Sequence, residues 1–350
     1  MTIDRKFHWM DLPYHILIGK ELISNLSSIL DKLNIPIDEI SFFTGPNIYT
    51  KIFSRYLSKE LISRPTYIVN EATWRQIEVL ERKLYDDIRF IIGFGGGKTI
   101  DVAKFIAFRN KIEFISIPTA PSHDGIASQF ASIKDKHRAY SYKVKPPYVV
   151  LVDLDIIVKA PKRLISSGVG DALAKFTAVA DWRLAHEEKG EYYGEYAANL
   201  ALLGARLVSK YSRGIGEGDE ESIRTLVEAL ISDGVAAGIA GSSRPCSGSE
   251  HLFSHALDLY ASKHALHGEQ VGVGTILMSY LHDMDWRYIR QRLSDAGSPI
   301  NYKDLGIPKD DIINAIIYAK RVRPERYTIL HKLNITRSYA VEIAEKTMVI

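Results

Sequence analysis

Four side chains that can bind a metal ion stand among small and apolar residues in the second half of the chain. Asp171 lies in GVGDALAK, within an apolar pattern of helical period where an unpaired carboxylate is costly to bury. His251 and His255 in SEHLFSHALD are four residues apart and so share one helix face, and His267 in LHGEQVGVG precedes a new helical pattern. One carboxylate with two or three imidazoles could hold zinc and leave a position open for a substrate, as a Lewis-acid site requires.

The spacing of these residues leaves other interpretations open. No glutamate follows His251, so the H-E-x-x-H pattern of zinc proteases is absent, and paired helical histidines are more often core or surface residues than ligands. Asp171 equally suits a helix cap after Gly170, and His264 or His267 a position in a loop. From local pattern, the metal site is one hypothesis among several.

A glycine-rich junction in the first half of the chain indicates a second ligand. In GFGGGKTIDVAKFIAF (93–108), three consecutive glycines separate an apolar run from a pattern of helical period. Bare backbone at a helix N-terminus lets a phosphate approach the N–H groups and the positive end of the helix dipole. The stretch matches neither G-x-G-x-x-G nor the Walker loop, so a tight turn is an equal alternative.

Short apolar runs alternate with amphipathic helical patterns from residue 14 to about residue 160. The predicted strands are YHILIG (14–19), ISFFTG (40–45), PTYIVN (65–70), RFIIGFG (89–95), FISIPT (114–119) and YVVLVD (148–153). The helical patterns between them predict a mainly parallel sheet covered on both faces. Ligands of such sheets lie beyond the carboxyl ends of the strands, so the glycine junction and PTAPSHDG should face one crevice.

The strand patterns end after Pro161, and helical patterns continue from there. We therefore expect an α/β, Rossmann-like dinucleotide-binding domain over residues 1–161 and an all-helical metal- and substrate-binding domain over residues 162–350. A length of 350 residues with 46% hydrophobic residues agrees with two domains. The stretch SRGIGEGDE (212–220) predicts a flexible linker between helices.

Composition excludes several classes of protein. The 45 basic and 42 acidic residues give a net charge of +3 without a block of like charges, so we expect no nucleic-acid partner. A single cysteine, Cys246, excludes an internal disulfide framework, and MTIDRKFHWMDL lacks the apolar core of a signal peptide. No apolar stretch is long enough to cross a bilayer. We expect a cytoplasmic homo-oligomer that acts on a small molecule and does not insert into membranes.

Five motifs together resemble the iron-containing alcohol dehydrogenase, glycerol dehydrogenase and dehydroquinate synthase superfamily, and within it the archaeal glycerol-1-phosphate dehydrogenases. In chain order they are GFGGGKTIDVAK, PTAPSHDGIAS, GVGDALAK, GSEHLFSHALD and LHGEQVGVG. The resemblance runs from the N-terminal strands to at least residue 280, and five ordered motifs are far more specific than any one of them. It implies an active site in the cleft between the two domains.

The resemblance also implies roles for individual residues. Asp171, His251 and His267 would hold zinc. Asp124, Asp171 and His255 would contact the substrate, with Asp124 and His255 as the catalytic residues. The implied contacts to NAD(H) or NADP(H) are Gly95, Gly96, Gly97, Lys98, Thr99, Ile100, Asp101, Thr119, Ala120, Pro121, Ser122 and Ser128.

The implied reaction reduces dihydroxyacetone phosphate to sn-glycerol 1-phosphate with NADH or NADPH and supplies the glycerol backbone of archaeal membrane lipids. Hydride transfer builds negative charge on the ketone oxygen, which the open position of a three-ligand zinc can stabilise. His255 or a water ordered by Asp124 would deliver the proton. The loop after ISFFTG reads GPN, with no acidic residue to repel a 2′-phosphate, so we expect both cofactors to be used.

Two questions stay open at the level of sequence. A phosphorylated substrate needs cations, and Lys143, Arg244, Lys263 and His264 are all possible partners that no spacing rule separates. Other functions also fit part of the pattern. A glycerol or small-diol dehydrogenase needs no phosphate site, a dehydroquinate synthase uses the nicotinamide only transiently, and a dinucleotide sensor binds NADH without turnover.

Overall fold

The computed structural model describes residues 8–135 and 138–350, which divide into two compact units. The sheet unit comprises residues 11–121 and 125–160. The helical unit comprises residues 8–10, 122–124 and 161–350. The division after residue 160 lies next to the predicted one, whereas residues 8–10 and the short segment 122–124 belong to the helical unit, which differs from the predicted ranges.

The strands of the described residues all lie in the sheet unit. They are β1 (His15–Gly19), β2 (Ile40–Thr44), β3 (Thr66–Ile68), β4 (Phe90–Gly95), β5 (Glu113–Pro118), β6 (Phe130–Asp135), β7 (Arg138–Lys143) and β8 (Val149–Asp153). Six of them form a parallel sheet in the order β1-β8-β5-β4-β2-β3, which confirms the predicted parallel sheet. The antiparallel pair β6–β7 was not predicted.

Both faces of the parallel sheet are covered, which explains why its strands are continuously apolar rather than alternating. All five residues of β2 are buried. Successive side chains of a strand point to opposite faces, and accordingly Phe42 packs in one core cluster with Leu26 and Phe94, while Phe43 packs in another with Ile77.

The helices of the sheet unit are α1 (Leu26–Lys32), α2 (Pro46–Ile48), α3 (Ser54–Tyr56), α4 (Lys59–Ile62), α5 (Trp74–Glu81), α6 (Gly97–Asn110) and α7 (Leu154–Ile157). Those of the helical unit are α8 (Lys162–Leu173), α9 (Lys175–Lys189), α10 (Glu195–Glu217), α11 (Glu220–Ala240), α12 (Ser249–Tyr260), α13 (His267–Leu281), α14 (Trp286–Asp295), α15 (Tyr302–Leu305), α16 (Lys309–Val322), α17 (Ile329–Lys332) and α18 (Arg337–Lys346). The predicted helical second half is confirmed. None of the helices described is long and apolar enough to cross a membrane.

The predicted linker at 212–220 is wrong, because α10 continues to Glu217 and α11 begins at Glu220. The glycines of this stretch permit close packing within a helix. A Cβ atom on Gly216 would lie 2.3 Å from the carbonyl oxygen of Asp295. Asp219 then caps α11, since its carboxylate accepts a hydrogen bond from the Ser222 N–H at 2.9 Å.

Candidate metal and cofactor sites

Three of the four metal-capable residues converge in the helical unit. Asp171 near the end of α8, His251 in the first turn of α12 and His267 at the start of α13 each offer a ligand atom, and these atoms lie within 4.8 Å of one another. Asp171 lies inside α8, so it is not the helix cap that its sequence context also permitted. Residues 80 and 96 positions apart in the chain thus meet at one point and could together hold a metal ion.

A close crossing of two helices brings Asp171 next to His267. A Cβ atom on Gly170 would lie 2.0 Å from the carbonyl oxygen of Gly268, and one on Gly268 would lie 1.9 Å from that of Ser167. The backbones of α8 and α13 are therefore in contact at a point where only glycine fits. Asp171 directly follows Gly170 and His267 directly precedes Gly268, so the crossing of the two helices places these two side chains close together.

Glu250 orients the imidazole of His251. Its carboxylate is fully buried and accepts hydrogen bonds from the Gly248 N–H at 2.6 Å and the Thr177 hydroxyl at 2.7 Å. The same carboxylate lies 2.7 Å from His251 Nδ1, so Nε2 is directed towards Asp171 Oδ1 at 3.5 Å. A carboxylate behind a histidine in this manner is the usual support of a metal-binding imidazole.

Lys175 connects the carboxylates around Asp171. Its ammonium group, which is completely buried, lies 3.2 Å from Asp171 Oδ1, 3.1 Å from Asp124 Oδ2 and 3.8 Å from Asp233 Oδ2. Burial opposes its charge, but Asp124 and Asp171 outweigh burial and hold the pKa of Lys175 well above its ordinary value. Burial raises the pKa of Asp233 well above its ordinary value, although the charge of Lys175 acts in the opposite direction.

The ligand side chains themselves titrate away from their ordinary values. Burial favours the neutral form of Asp171, but Lys175 and the hydrogen bond from His251 outweigh it and hold the Asp171 pKa well below normal. Burial likewise disfavours charge on His251, yet Asp171 and Glu250 raise its pKa. Burial and the charge of His251 hold the pKa of His267 well below normal.

The charges and donor atoms of this group fit a divalent cation. The carboxylates of Asp124, Asp171 and Glu250 lie around Lys175 and His251 in a largely buried cluster. Buried charges are costly unless they are paired, so a cation held by Asp171 would stabilise the set further. One carboxylate oxygen and two imidazole nitrogens suit zinc and equally iron or nickel.

The two predicted catalytic residues lie beside the metal-capable group. The backbone N–H of Asp124 donates to Asp171 Oδ2 at 2.9 Å, and its carboxylate accepts from Lys175. The His255 ring centroid lies 6.0 Å from that of His267, and His255 Nδ1 is a buried atom that has no hydrogen-bond partner among the described residues. Burial, with the charge of His251, lowers the His255 pKa to about 3, so the ring is neutral.

The predicted cofactor segments in the sheet unit lie side by side. Gly95 at the end of β4 pairs with Pro118 at the end of β5, so the glycine junction adjoins Thr119. On its other side β4 pairs with β2, and the chain leaves these two strands in opposite directions. Such a reversal of strand order is where open α/β sheets bind their ligands.

Gly96 caps the N-terminus of the fourteen-residue helix α6, and a Cβ atom there would have no neighbour within 4 Å. By contrast, a Cβ atom on Gly95 would lie 2.7 Å from the Thr99 hydroxyl oxygen, so Gly95 serves packing. The open space at Gly96 and the free N–H groups of α6 fit an approaching phosphate.

The remaining predicted cofactor residues differ in exposure. Lys98 is exposed and donates to the carbonyl oxygen of Asn70 at 3.0 Å. Asp101 is buried within α6 and lies 3.8 Å from the ammonium group of Lys104, which ties it to the packing of that helix. The others are mostly buried; they are Gly97, Thr99, Ile100, Thr119, Ala120, Pro121, Ser122 and Ser128. Ser122 belongs to the helical unit.

The four sequence candidates for phosphate binding differ in exposure and in the unit to which they belong. Arg244 is buried and already paired, since its Nε donates to Glu191 Oε1 at 2.7 Å and its Nη1 donates to the carbonyl oxygen of Tyr327 at 2.8 Å. Lys143 lies exposed on β7, and Lys263 and His264 are exposed between α12 and α13.

Two residues that support the site were missed from the sequence, although both leave a local signal. Glu250 directly precedes His251, and Lys175 follows Asp171 by four residues, the spacing at which helical side chains meet. An acidic residue next to a candidate ligand histidine therefore predicts a hydrogen bond that orients the imidazole. A basic residue four positions after a buried aspartate predicts an ion pair with that aspartate.

Comparison with known proteins places the chain among dehydrogenases. Residues 17–161 match the family model described as iron-containing alcohol dehydrogenase. The structure of glycerol dehydrogenase from Schizosaccharomyces pombe superposes with a TM-score of 0.81 at 21% identity, covering 98% of this chain and 91% of that one. A probable glycerol dehydrogenase from Sinorhizobium meliloti gives a TM-score of 0.79 at 20% identity, with 98% and 100% covered. These two likenesses concern the fold.

Full-length relatives are considerably more similar in sequence. The protein of Hyperthermus butylicus named glycerol-1-phosphate dehydrogenase [NAD(P)+] is 46% identical over 98% of this chain and 99% of its own. Proteins of the same name from Sulfolobus acidocaldarius and Thermococcus kodakarensis are each 45% identical over 99% of this chain, covering 99% and 100% of their own lengths. Because the identity is this high and extends over nearly every residue, the chain belongs to the glycerol-1-phosphate dehydrogenase family.

Proposed function

We propose that this chain reduces dihydroxyacetone phosphate to sn-glycerol 1-phosphate with NADH or NADPH, as a cytoplasmic homo-oligomer that supplies the glycerol backbone of membrane lipids. The observation that carries the proposal is the convergence of Asp171, His251 and His267 in a chain of this family. The alternative of a glycerol or small-diol dehydrogenase has support only from distant relatives in fold.

In this proposal Asp171, His251 and His267 hold a zinc ion. When bound there, the metal supplies a Lewis acid for the ketone oxygen. Glu250 keeps His251 Nε2 directed at the ion, and Lys175 keeps Asp171 ionised and in place. The protein thereby prepares the position of the ketone before the substrate arrives, which is the condition for effective electrostatic stabilisation.

Asp124 and His255 contact the substrate in this proposal. The unpaired Nδ1 of His255 is a buried polar atom whose hydrogen bond a substrate hydroxyl or a water can complete. Asp124 is held by Lys175 and by its own N–H bond to Asp171, so its remaining carboxylate oxygen can orient a water that delivers the proton to the ketone oxygen.

The dinucleotide binds in the sheet unit in this proposal. Its pyrophosphate approaches Gly96 and Gly97 at the N-terminus of α6, and Thr119 to Ser122 with Ser128 supply further polar contacts. When bound, the nicotinamide supplies the hydride. The loop after β2 carries Gly45, Pro46 and Asn47 and no carboxylate, which favours the use of both NADH and NADPH.

Oxidation of NADH by the purified protein tests the substrate and the metal together. We expect oxidation with dihydroxyacetone phosphate, its loss after chelation and its return with zinc. A dehydrogenase specific for sn-glycerol 3-phosphate should not oxidise the product. Turnover of dihydroxyacetone without turnover of its phosphate would instead identify a small-diol dehydrogenase, and binding of NADH without any turnover would identify a sensor.

A further inference from the structure

Four lysine and arginine side chains are buried in the described part of the chain, and three of them face a carboxylate. Lys104 lies 3.8 Å from Asp101, Lys175 contacts several aspartates, and Arg244 pairs with Glu191. The fourth, Arg326, has an exposed fraction of 7% and forms no ion pair within 4.0 Å with any described residue. The charges of Glu191 and Glu250 act on Arg326 without contacting it, and a buried cation with no carboxylate in contact is costly, so a bound anion would stabilise Arg326 further.

The hydrogen bonds of Arg326 hold it in place and leave most of its donors unused. Its Nη1 donates to the carbonyl oxygen of Ser247 at 2.5 Å, and its Nη2 donates to the hydroxyl of Ser243 at 2.7 Å. Both acceptors are neutral. A guanidinium group has five N–H donors, so three remain for a ligand in an arrangement that matches two oxygens of a phosphate.

The position of Arg326 is fixed by a tight turn at the end of α16. The Arg326 N–H donates to the carbonyl oxygen of Arg323 at 3.0 Å, and Pro324 occupies the second position of the turn, where its fixed φ is favourable. Helix α16 packs against α12, the helix that carries His251 and His255. Ser247, the partner of Arg326, lies two residues before α12 begins.

Arg326 is tied to the segment that carries the proposed substrate residues. Its hydrogen-bond partner Ser247 precedes His251 by four residues and His255 by eight. Burial, with Arg323 and Arg244 nearby, lowers the pKa of Arg326 itself to about 9. The Arg323 side chain is partly exposed and pairs with exposed Glu325 at 3.2 Å, so it places a second cation at the same turn.

We infer that Arg326 binds the phosphate group of the substrate, with Arg323 as an auxiliary cation. The inference rests on the proposed function and deepens it, because it assigns the recognition of a phosphomonoester to a turn that no sequence motif indicated. A phosphate dianion at Arg326 would place a counter-charge in contact with the guanidinium group and accept hydrogen bonds from its unused N–H groups. Its phosphate would then hold the ketone carbon at a fixed distance from the turn, so phosphate binding would also orient the reacting group.

The test compares a phosphorylated with an unphosphorylated substrate. For the zinc-loaded enzyme and its Arg326→Gln and Arg326→Lys variants, kcat/KM is measured with dihydroxyacetone phosphate and with dihydroxyacetone, and inorganic phosphate is titrated as an inhibitor. We expect Arg326→Gln to lower kcat/KM for the phosphate ester by about 10²-fold, as befits loss of a charge-assisted pair, and to leave dihydroxyacetone turnover within a few-fold. The inhibition constant of inorganic phosphate should rise in parallel in Arg326→Gln. In both measurements, Arg326→Lys should lie between the parent enzyme and Arg326→Gln.

Arg244→Gln is the matched control, since it removes a buried arginine of the same region that already has a carboxylate partner. It should lower stability and leave the ratio of the two kcat/KM values unchanged.

An unchanged ratio of the two kcat/KM values in both Arg326 variants would overturn the inference. An effect seen with NADPH and absent with NADH would also overturn it, because it would assign Arg326 to the cofactor phosphate. Failure of the parent enzyme to use dihydroxyacetone phosphate would reject the proposed function instead. If Arg326→Gln does not fold, the inference is tested by the ratio of the two kcat/KM values in Arg326→Lys and by the inhibition of that variant by inorganic phosphate.

Discussion

At the scale of single residues, the site depends on Lys175 as much as on the ligands. Its ammonium group contacts both Asp171 and Asp124, and all three groups are largely removed from water. The lysine therefore stabilises both carboxylates.

Lys175→Met should consequently destabilise the protein strongly. Removal of one partner from a buried ion pair leaves the other charge uncompensated, at a cost of about 3–5 kcal/mol. Urea denaturation of the variant and the parent protein measures this difference. Asp233→Asn is the control, because Asp233 lies 3.8 Å from Lys175 and burial disfavours its charge, so replacement by a neutral amide of similar shape should cost less than the loss of Lys175. Equal losses in both variants would contradict this account of the cluster.

His251 and His255 share a helix face but should differ in what they do. We expect His251→Ala to lose zinc, because a three-ligand site has no spare ligand. His255→Ala should keep zinc and lose turnover by about 10²-fold, since it removes a hydrogen bond to the substrate. Metal content by mass spectrometry and kinetics on the same preparations measure both effects. Equal loss of zinc would make His255 a ligand, and full activity of His255→Ala would make it an ordinary core histidine.

The sequence was sufficient to name the residues that converge and insufficient to name those that support them. Asp171, His251 and His267 stand in motifs whose order resembles a known superfamily. Arg326 follows Pro324 in a surface-like stretch of charged residues, RVRPERY, and nothing local indicates that it is buried. Its environment comes from α12 and α16 packing together, a tertiary effect that a local pattern does not contain.

At the scale of secondary structure, the close crossing of α8 and α13 sets the ligand geometry. Gly268→Ala would place a Cβ atom 1.9 Å from a backbone oxygen, and the helices can relieve that contact only by moving apart. We expect a loss of about 3 kcal/mol or more in unfolding free energy and weaker zinc binding, because Asp171 and His267 separate with the helices. Gly204→Ala, whose Cβ would lie 3.3 Å from its nearest neighbour, is the control and should change stability by less than about 1 kcal/mol. Native zinc affinity in Gly268→Ala would contradict this role of the crossing.

At the start of α6 we expect a substitution of glycine to weaken cofactor binding without lowering stability. Gly96→Ala adds a methyl group where the protein has no atom within 4 Å, so thermal stability should change by less than about 1 kcal/mol. The same methyl group would occupy space that the pyrophosphate needs, so NADH and NADPH should bind more weakly. Fluorescence titration gives the dissociation constants and calorimetry the stability. Unchanged dissociation constants would exclude Gly96 from the cofactor site.

Strands and helices were predictable wherever a continuous apolar or helical pattern marked them. The pair β6–β7 was missed because FASIKD and RAYSYK are rich in charged and small residues and lack a continuous apolar run. The pair is stabilised by its own hydrogen-bond ladder and by packing of Tyr142 against Trp74 and Phe105. The linker at 212–220 was wrongly predicted for the converse reason. Glycines that suggest flexibility in isolation permit close packing of α10.

At the scale of the whole molecule, a metal ion held by Asp171, His251 and His267 would connect α8, α12 and α13. Binding to the folded state alone raises stability by about 4 kcal/mol at a free ion concentration 1,000 times the dissociation constant. We therefore expect chelation to lower the melting temperature and zinc to restore it, as followed by scanning calorimetry. His267→Ala should abolish the shift. A melting temperature that does not respond to zinc would argue against a metal site.

The segment 122–124 is synthesised well before the residues that it contacts. It lies between β5 and β6 in the sequence but belongs to the helical unit, and its Asp124 pairs with residues that are translated later. The sheet unit is complete at residue 160, whereas the last metal-capable side chain emerges with His267. At about 5–20 residues per second, Asp124 waits several seconds for its partners. We therefore expect that a metal ion held by Asp171, His251 and His267 would be inserted late in biosynthesis, so that metal supply would limit the yield of active protein.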